Sequence, residues 1–175
     1  MVARWSLLFI VAVLLLGGLA DNFARTIVEM PAWRHVGVEA WADFSRQADL
    51  GNGKIVYPIA GIGTMLLTVG AAIAFRRSPQ RPRSAAIPVY GAALMAIAVL
   101  LATTQAAPLM LSLPRLGRDP VALQKAFDGF DHWGNIRAVF AGIGYVCQIW
   151  ALAALARLAA RRPAGPGEPL AGANP

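Results

Sequence analysis

Cysteine is almost absent from this chain of 175 residues: Cys147 stands alone, so no intrachain disulfide can form and a disulfide-stapled scaffold is excluded. Charge is scarce as well, at 14% of residues against about 25% in soluble domains. Histidine occurs twice, at His35 and His132, and lysine twice, at Lys54 and Lys125. Neither an HExxH pair nor a cluster of thiols offers an evident metal centre. What is abundant is apolar: 57% of residues, with a mean hydropathy of +0.54. That balance excludes a disordered tail, a collagen-like rod and an ordinary soluble enzyme.

The charges that do occur leave four long gaps. Residues 5–20, 55–75, 84–114 and 138–156 contain no Asp, Glu, Lys or Arg. A membrane-spanning helix needs roughly 20 mostly apolar residues, and a charge at mid-bilayer costs about 2.5–3.5 kcal/mol. The pattern predicts an all-α, integral membrane four-helix bundle with spans near 5–28, 55–75, 86–107 and 136–158. These make one domain over 1–162, followed by a Pro/Gly/Ala-rich, disordered tail over 163–175. The third span is expected to stop before Pro108, and the LMLSL that follows to lie in the interface. Arg4, a short apolar core and Gly18-Leu19-Ala20 also fit a signal peptide cleaved after Ala20. The rival reading is an uncleaved helix on which Asp21, Arg25 and Glu29 pair at i, i+4, i+8.

The net charge of +7 is unevenly distributed. The N-terminal end, the segment between spans two and three and the C-terminal end carry eight basic residues and one acid. Loops 21–54 and 108–137 carry eight of each. By the positive-inside rule both termini and the Arg76–Arg83 segment are cytoplasmic and the two long loops are outside. The basic excess is thus a topology signal directed at the lipid bilayer, and no nucleic-acid partner is expected. Fourteen Arg against two Lys, with abundant Ala and Gly, suggests GC-rich coding and a bacterial plasma (inner) membrane.

Residues with chemical potential collect in the outer loops. An amphipathic helix is expected from Pro31 to about Leu50, lying along the membrane surface. On it His35, Glu39 and Asp43 fall at i, i+4, i+8. In the second loop Asp128, His132 and Asn135 share a helical face. These spacings can chelate a metal, can move a proton, or can hold solvated, salt-bridged histidines; no metal site is assigned. Trp33, Trp41 and Trp133 fit an aromatic belt or a stacking wall, and Arg137 fits an interfacial cation. Gln148 with Thr103, Thr104 and Gln105 is a candidate interhelical hydrogen-bond cluster. Glycines at 61, 63, 70, 91, 142 and 144 permit close helix packing.

The four-helix layout, Met30-Pro31-Ala32 after the first span and Trp133-Gly134-Asn135-Ile136-Arg137 before the last resemble the anthrone-oxygenase-like family of small membrane proteins over residues 5–158. Members commonly carry Trp-Asn and, a few residues later, Arg at this place. Trp133 and Arg137 match, while Gly134 stands at the Asn position and Asn135 follows one residue late. The resemblance implies oxidation of a small aromatic or quinone-like compound by dioxygen without a cofactor. It implies His132 or His35 as base, Arg137 as the cation facing an enolate, and a binding wall from Trp133, Trp41, Asp128, Glu39 and Asn135. The alternative is a non-catalytic four-helix membrane protein that binds a lipid, a subunit or another partner.

Overall fold

The computed structural model describes residues 9, 11–12, 25–79 and 81–160, all of its regular structure being helical. Phe9, Val11 and Ala12 are helical. The rest of the expected first span up to Phe23, the possible cleavage after Ala20, the Asp21 pairing and the tail lie outside the described residues.

From residue 25 onward the described residues form six α-helices in chain order. They are α1 (Trp33–Val36), α2 (Val38–Ala48), α3 (Lys54–Arg77), α4 (Ala86–Leu111), α5 (Leu113–Leu116) and α6 (Pro120–Ala160). Three helical stretches, Val38–Arg77 (kinked at Gly51), Arg83–Leu116 and Pro120–Arg157, are long and apolar enough to cross a membrane. The long helices α3, α4 and α6 carry these apolar windows, and the chain is an all-helical, multi-pass membrane bundle.

In α3 the buried positions Thr64, Thr68, Ala71, Ala72 and Phe75 recur at helical spacing, while Ile59, Ile62, Leu66 and Ile73 are exposed. A helix apolar on all sides with small residues inward is the membrane pattern, because lipid takes the place of water on the outer face. Helix α4 lies centrally, packed against α3 and, most extensively, against α6. Glycine makes that second contact close. A Cβ on Gly91 would lie 3.1 Å from the Cys147 sulfur, and one on Gly144 would lie 3.2 Å from Met95 Cβ. Phe9, Phe75, Val89, Ala92, Ala151 and Leu155 form the core near the Arg76–Arg83 turn.

A second core sits at the opposite end, where Trp41 and Ala42 of α2 meet Met110, Leu113, Leu123, Ala126 and Phe127. It explains three departures from the sequence reading. First, α4 does not stop before Pro108 but runs to Leu111. Proline withdraws one N–H from the Thr104 carbonyl, yet Ser112 N–H donates to Pro108 O at 3.0 Å and the ladder resumes. Continuing the helix buries Met110 and then Leu113 in this core. Second, the last helix does not begin at Ile136. It starts at Pro120, and at about 1.5 Å per residue its 41 residues reach roughly 60 Å, twice the hydrocarbon thickness. Asp119 caps it, Oδ1 accepting from Val121 N–H at 3.0 Å and Ala122 N–H at 3.2 Å, with Pro120 in the first helical position. Trp133–Arg137 therefore lies inside a helix rather than at its start. Third, the amphipathic segment is broken at Gly37, whose φ of 94° is barred to most L-residues. The break separates His35 from Glu39 and Asp43, so the continuous i, i+4, i+8 face does not form.

Candidate functional site: a cleft at the end opposite the Arg76–Arg83 turn

The two loop regions are tied by several side chains. Arg46 of α2 donates from Nη1 to Asp43 Oδ1 at 2.8 Å and from Nη2 to the carbonyl of Leu113 at 3.0 Å, and it also reaches the carbonyl of Gly117. Leu113 and Gly117 are carbonyls at the α5 turn, so the guanidinium satisfies groups that a short helix leaves open. Arg118 approaches the other Asp43 oxygen at 3.6 Å. Further along, Arg34 meets Asp131 at 3.5 Å, which joins the segment carrying His35 to the segment carrying His132.

Beneath this cap a cleft of about 370 Å³ opens between α3 and α6, with α4 forming its third wall. That volume falls in the range of small-molecule sites. Its lining is mainly apolar. Tyr57, Pro58, Gly61 and Ile62 come from α3; Val99, Leu100, Thr103, Ala107 and Met110 from α4; Phe130, Ala138 and Ala141 from α6. Its charged lining residues are Asp49, Lys54 and Arg137, and Tyr57, Thr103 and Thr104 add hydroxyl groups. Asp49 is 6% exposed. The Arg137 guanidinium carbon stands 5.9 Å from the centroid of the Phe130 ring, within reach of a cation–π contact. Phe130 and Arg137 are two turns apart on α6, so both present to one face.

The residues singled out from sequence distribute as follows. Arg137 lines the cleft, and of the eight candidates it is the one among its described lining residues. Trp41 is buried in the second core, its ring 5.2 Å from that of Phe44. His35, Glu39, Asp128, His132 and Asn135 are exposed, and Trp133 is half-buried. The His132 and Trp133 rings meet edge to face at 5.6 Å. Trp33 carries no described side-chain environment. Among the described residues no three His, Cys, Asp or Glu side chains gather where a metal ion could be held. Sequence reasoning missed Asp49, Lys54, Tyr57 and Phe130. Asp49 and Lys54 bracket Gly51-Asn52-Gly53 immediately before an uncharged run, and that position was the available signal.

The expected cluster of Gln148 with Thr103, Thr104 and Gln105 does not form. Thr103 and Thr104 hydroxyls donate to the carbonyls of Val99 and Leu101 on their own helix. Gln148 instead turns to α3, its Nε2 donating to Thr68 Oγ1 at 3.4 Å. In apolar surroundings a hydroxyl takes the nearest backbone acceptor, which lies one turn back on the same helix.

No family model, no curated protein and no solved structure matches the chain. The features above therefore stand on their own as those of a small all-helical multi-pass membrane bundle with an apolar, cation-headed cleft.

Proposed function

We propose that the cleft binds a small ring-bearing compound with an acidic enol or phenol oxygen, and that the chain acts as a membrane oxygenase of the anthrone-oxygenase-like kind. The observation that carries the binding reading is the placement of Arg137 beside Phe130 in a mainly apolar cleft. A guanidinium there meets a developing enolate, and aromatic side chains flank the ring system. The orientation proposed with it places the Arg76–Arg83 turn in the cytoplasm of a bacterial cell and the cleft in the outer half of the plasma membrane.

The chemistry is balanced without a further reductant. A base takes one proton from the ring methylene opposite the carbonyl, whose carbanion is delocalised through the rings onto the carbonyl oxygen. The carbanion adds dioxygen, and the resulting peroxide loses water to leave a new carbonyl. Dioxygen accepts four electrons, one of its oxygens ending in the quinone and the other in water. His132 or His35 is the proposed base. The polar remainder of the proposed wall, Asp128, Glu39 and Asn135, is exposed as they are.

The exposure of both histidines favours a second reading, in which the cleft binds its ligand without turnover. One experiment separates the two. Purified protein in nanodiscs is given anthrone in air-saturated buffer, and oxygen uptake is followed with anthraquinone absorbance. Protein-dependent uptake that falls in Arg137→Ala and His132→Gln supports the oxygenase. Saturable anthrone binding without uptake supports a binding protein. Absence of both removes this ligand class.

A further inference from the structure

Deep in the bundle, below the cleft, α3 and α6 share a polar tier. The Thr68 hydroxyl donates to the Thr64 carbonyl at 2.7 Å, which uses its only proton. Toward Gln148 it can then only accept, so the Gln148 amide must present Nε2, at 3.4 Å. That fixes Gln148 Oε1 on the other side. There Oε1 has no hydrogen-bond partner, and neither has Thr64 Oγ1. Gln148 is 2% exposed and Thr64 4% exposed. Inside a membrane bundle an unpaired polar atom carries a full desolvation cost.

Both residues line one cavity of about 20 Å³. A cavity of roughly 10–15 Å³ suffices for one water, and cavities that stay dry are apolar. Thr64 and Gln148, each with an unpaired polar atom, are among the residues lining this one. It also shares Gly61, Val99 and Ala141 with the cleft above. No atom lies within 4 Å of where a Gly61 Cβ would stand, so the junction of the two spaces is open at that residue.

We infer that Thr64 and Gln148 form a binding site for a single hydroxyl oxygen, reached from the cleft past Gly61. The oxygen donates one hydrogen to Gln148 Oε1 and shares another hydrogen bond with Thr64 Oγ1, bridging α3 to α6. Water fits the volume, and a hydroxyl projecting from a cleft ligand offers the same chemistry. The site stands on the two orphaned atoms and the cavity, so it does not depend on the oxygenase reading.

A double-mutant cycle on thermal unfolding in nanodiscs tests it, with the shape-conserving Thr64→Val and Gln148→Met. The two unpaired atoms make no bond to one another, so a bridging oxygen requires the two substitutions to couple, and a structure at water-resolving resolution separates that bridge from coupling through packing in the shared cavity. Loss of the Gln148–Thr68 bond enters both arms of the cycle and cancels. With the bridge, the double variant's melting shift departs from the sum of the single shifts by at least about 2 °C. Additive shifts overturn the site. Should a variant fail to fold, a structure of the unaltered protein at water-resolving resolution decides: density between the two side chains supports the site, and none overturns it. Native mass spectrometry before and after solvent extraction distinguishes the sources. Coupling that persists in stripped protein identifies water, and coupling that disappears with a bound mass identifies a ligand hydroxyl.

Discussion

Arg137 and Phe130 lie two turns apart on α6, and the guanidinium carbon of the first stands 5.9 Å from the ring centroid of the second, both facing the cleft. The planar cation is thus held against an aromatic face at the edge of an apolar space. Lysine would keep the charge but lose the plane and the fork of donors. We expect Arg137→Ala to weaken binding of an enol or phenol ligand by about 1.5–3 kcal/mol, roughly ten- to a hundredfold in Kd, and Arg137→Lys to recover only part. Titration of anthrone into the protein in nanodiscs checks the order. Equal affinities for the three proteins would remove Arg137 from the site.

Arg46 joins helix α2 to the α5 turn through the carbonyls of Leu113 and Gly117. Its partner Asp43 is 55% exposed in its side chain, where ion pairs contribute little. Arg46→Ala should therefore cost about 1–3 kcal/mol of stability, and Asp43→Asn less than about 1 kcal/mol. Thermal unfolding of both variants checks this. An Asp43 variant as damaging as the Arg46 variant would show that the ion pair, not the carbonyl contacts, holds the cap.

The fold was legible where one physical rule dominates and obscure where two compete. Uncharged runs at 55–75, 84–114 and 138–156 announce spans because nothing in lipid compensates a stray charge, and α3, the stretch Arg83–Leu116 and α6 cover them. Helix ends were harder. Pro108 reads as a stop, but burial of Met110 and Leu113 outweighs one lost hydrogen bond. Asp119-Pro120 is a readable cap-and-start signal that marks α6 sixteen residues before Ile136. Gly37 breaks the expected amphipathic helix, and its positive φ leaves no trace in hydropathy. At the site, Arg137 could be picked out as a cation opening an apolar run. Tyr57 and Phe130 could not, because their convergence depends on how α3 and α6 diverge around α4.

Close packing of α4 on α6 rests on Gly91, where an added Cβ would stand 3.1 Å from the Cys147 sulfur. Gly91→Ala is expected to destabilise the bundle by about 1–3 kcal/mol through overpacking. Removing the sulfur relieves that contact. The pair Gly91→Ala with Cys147→Ala should therefore be more stable than Gly91→Ala alone, a non-additivity that thermal unfolding reads directly. If Cys147→Ala only adds a further loss, the glycine serves something other than this approach.

The last prediction concerns which end of the bundle faces the cytoplasm. At the turn between α3 and α4, Arg76, Arg77, Arg81 and Arg83 stand with no acid among them. Arg81 donates to the Arg76 carbonyl at 2.7 Å, which places a cation at the C-terminal end of α3, where the helix dipole favours it. The four guanidinium groups otherwise remain positive, and each contributes about 1 kcal/mol beside an anionic leaflet. The opposite end is different in kind. Its basic residues are matched by acids, with Arg46 and Arg118 on Asp43 and Arg34 on Asp131. A neutralised cap crosses a membrane during insertion more readily than a cluster of unmatched arginines, which is the physical content of the positive-inside rule. We therefore expect the Arg76–Arg83 turn inside and the cleft outside. In a Cys147→Ala background, single cysteines at two exposed positions report the sides: Pro79→Cys at the basic turn and Gln47→Cys at the cap. A membrane-impermeant maleimide added to intact spheroplasts should label Gln47→Cys, and Pro79→Cys only after lysis. The reverse pattern would turn the bundle over, place the cleft in the cytoplasmic half of the membrane, and require its ligand to arrive from inside the cell.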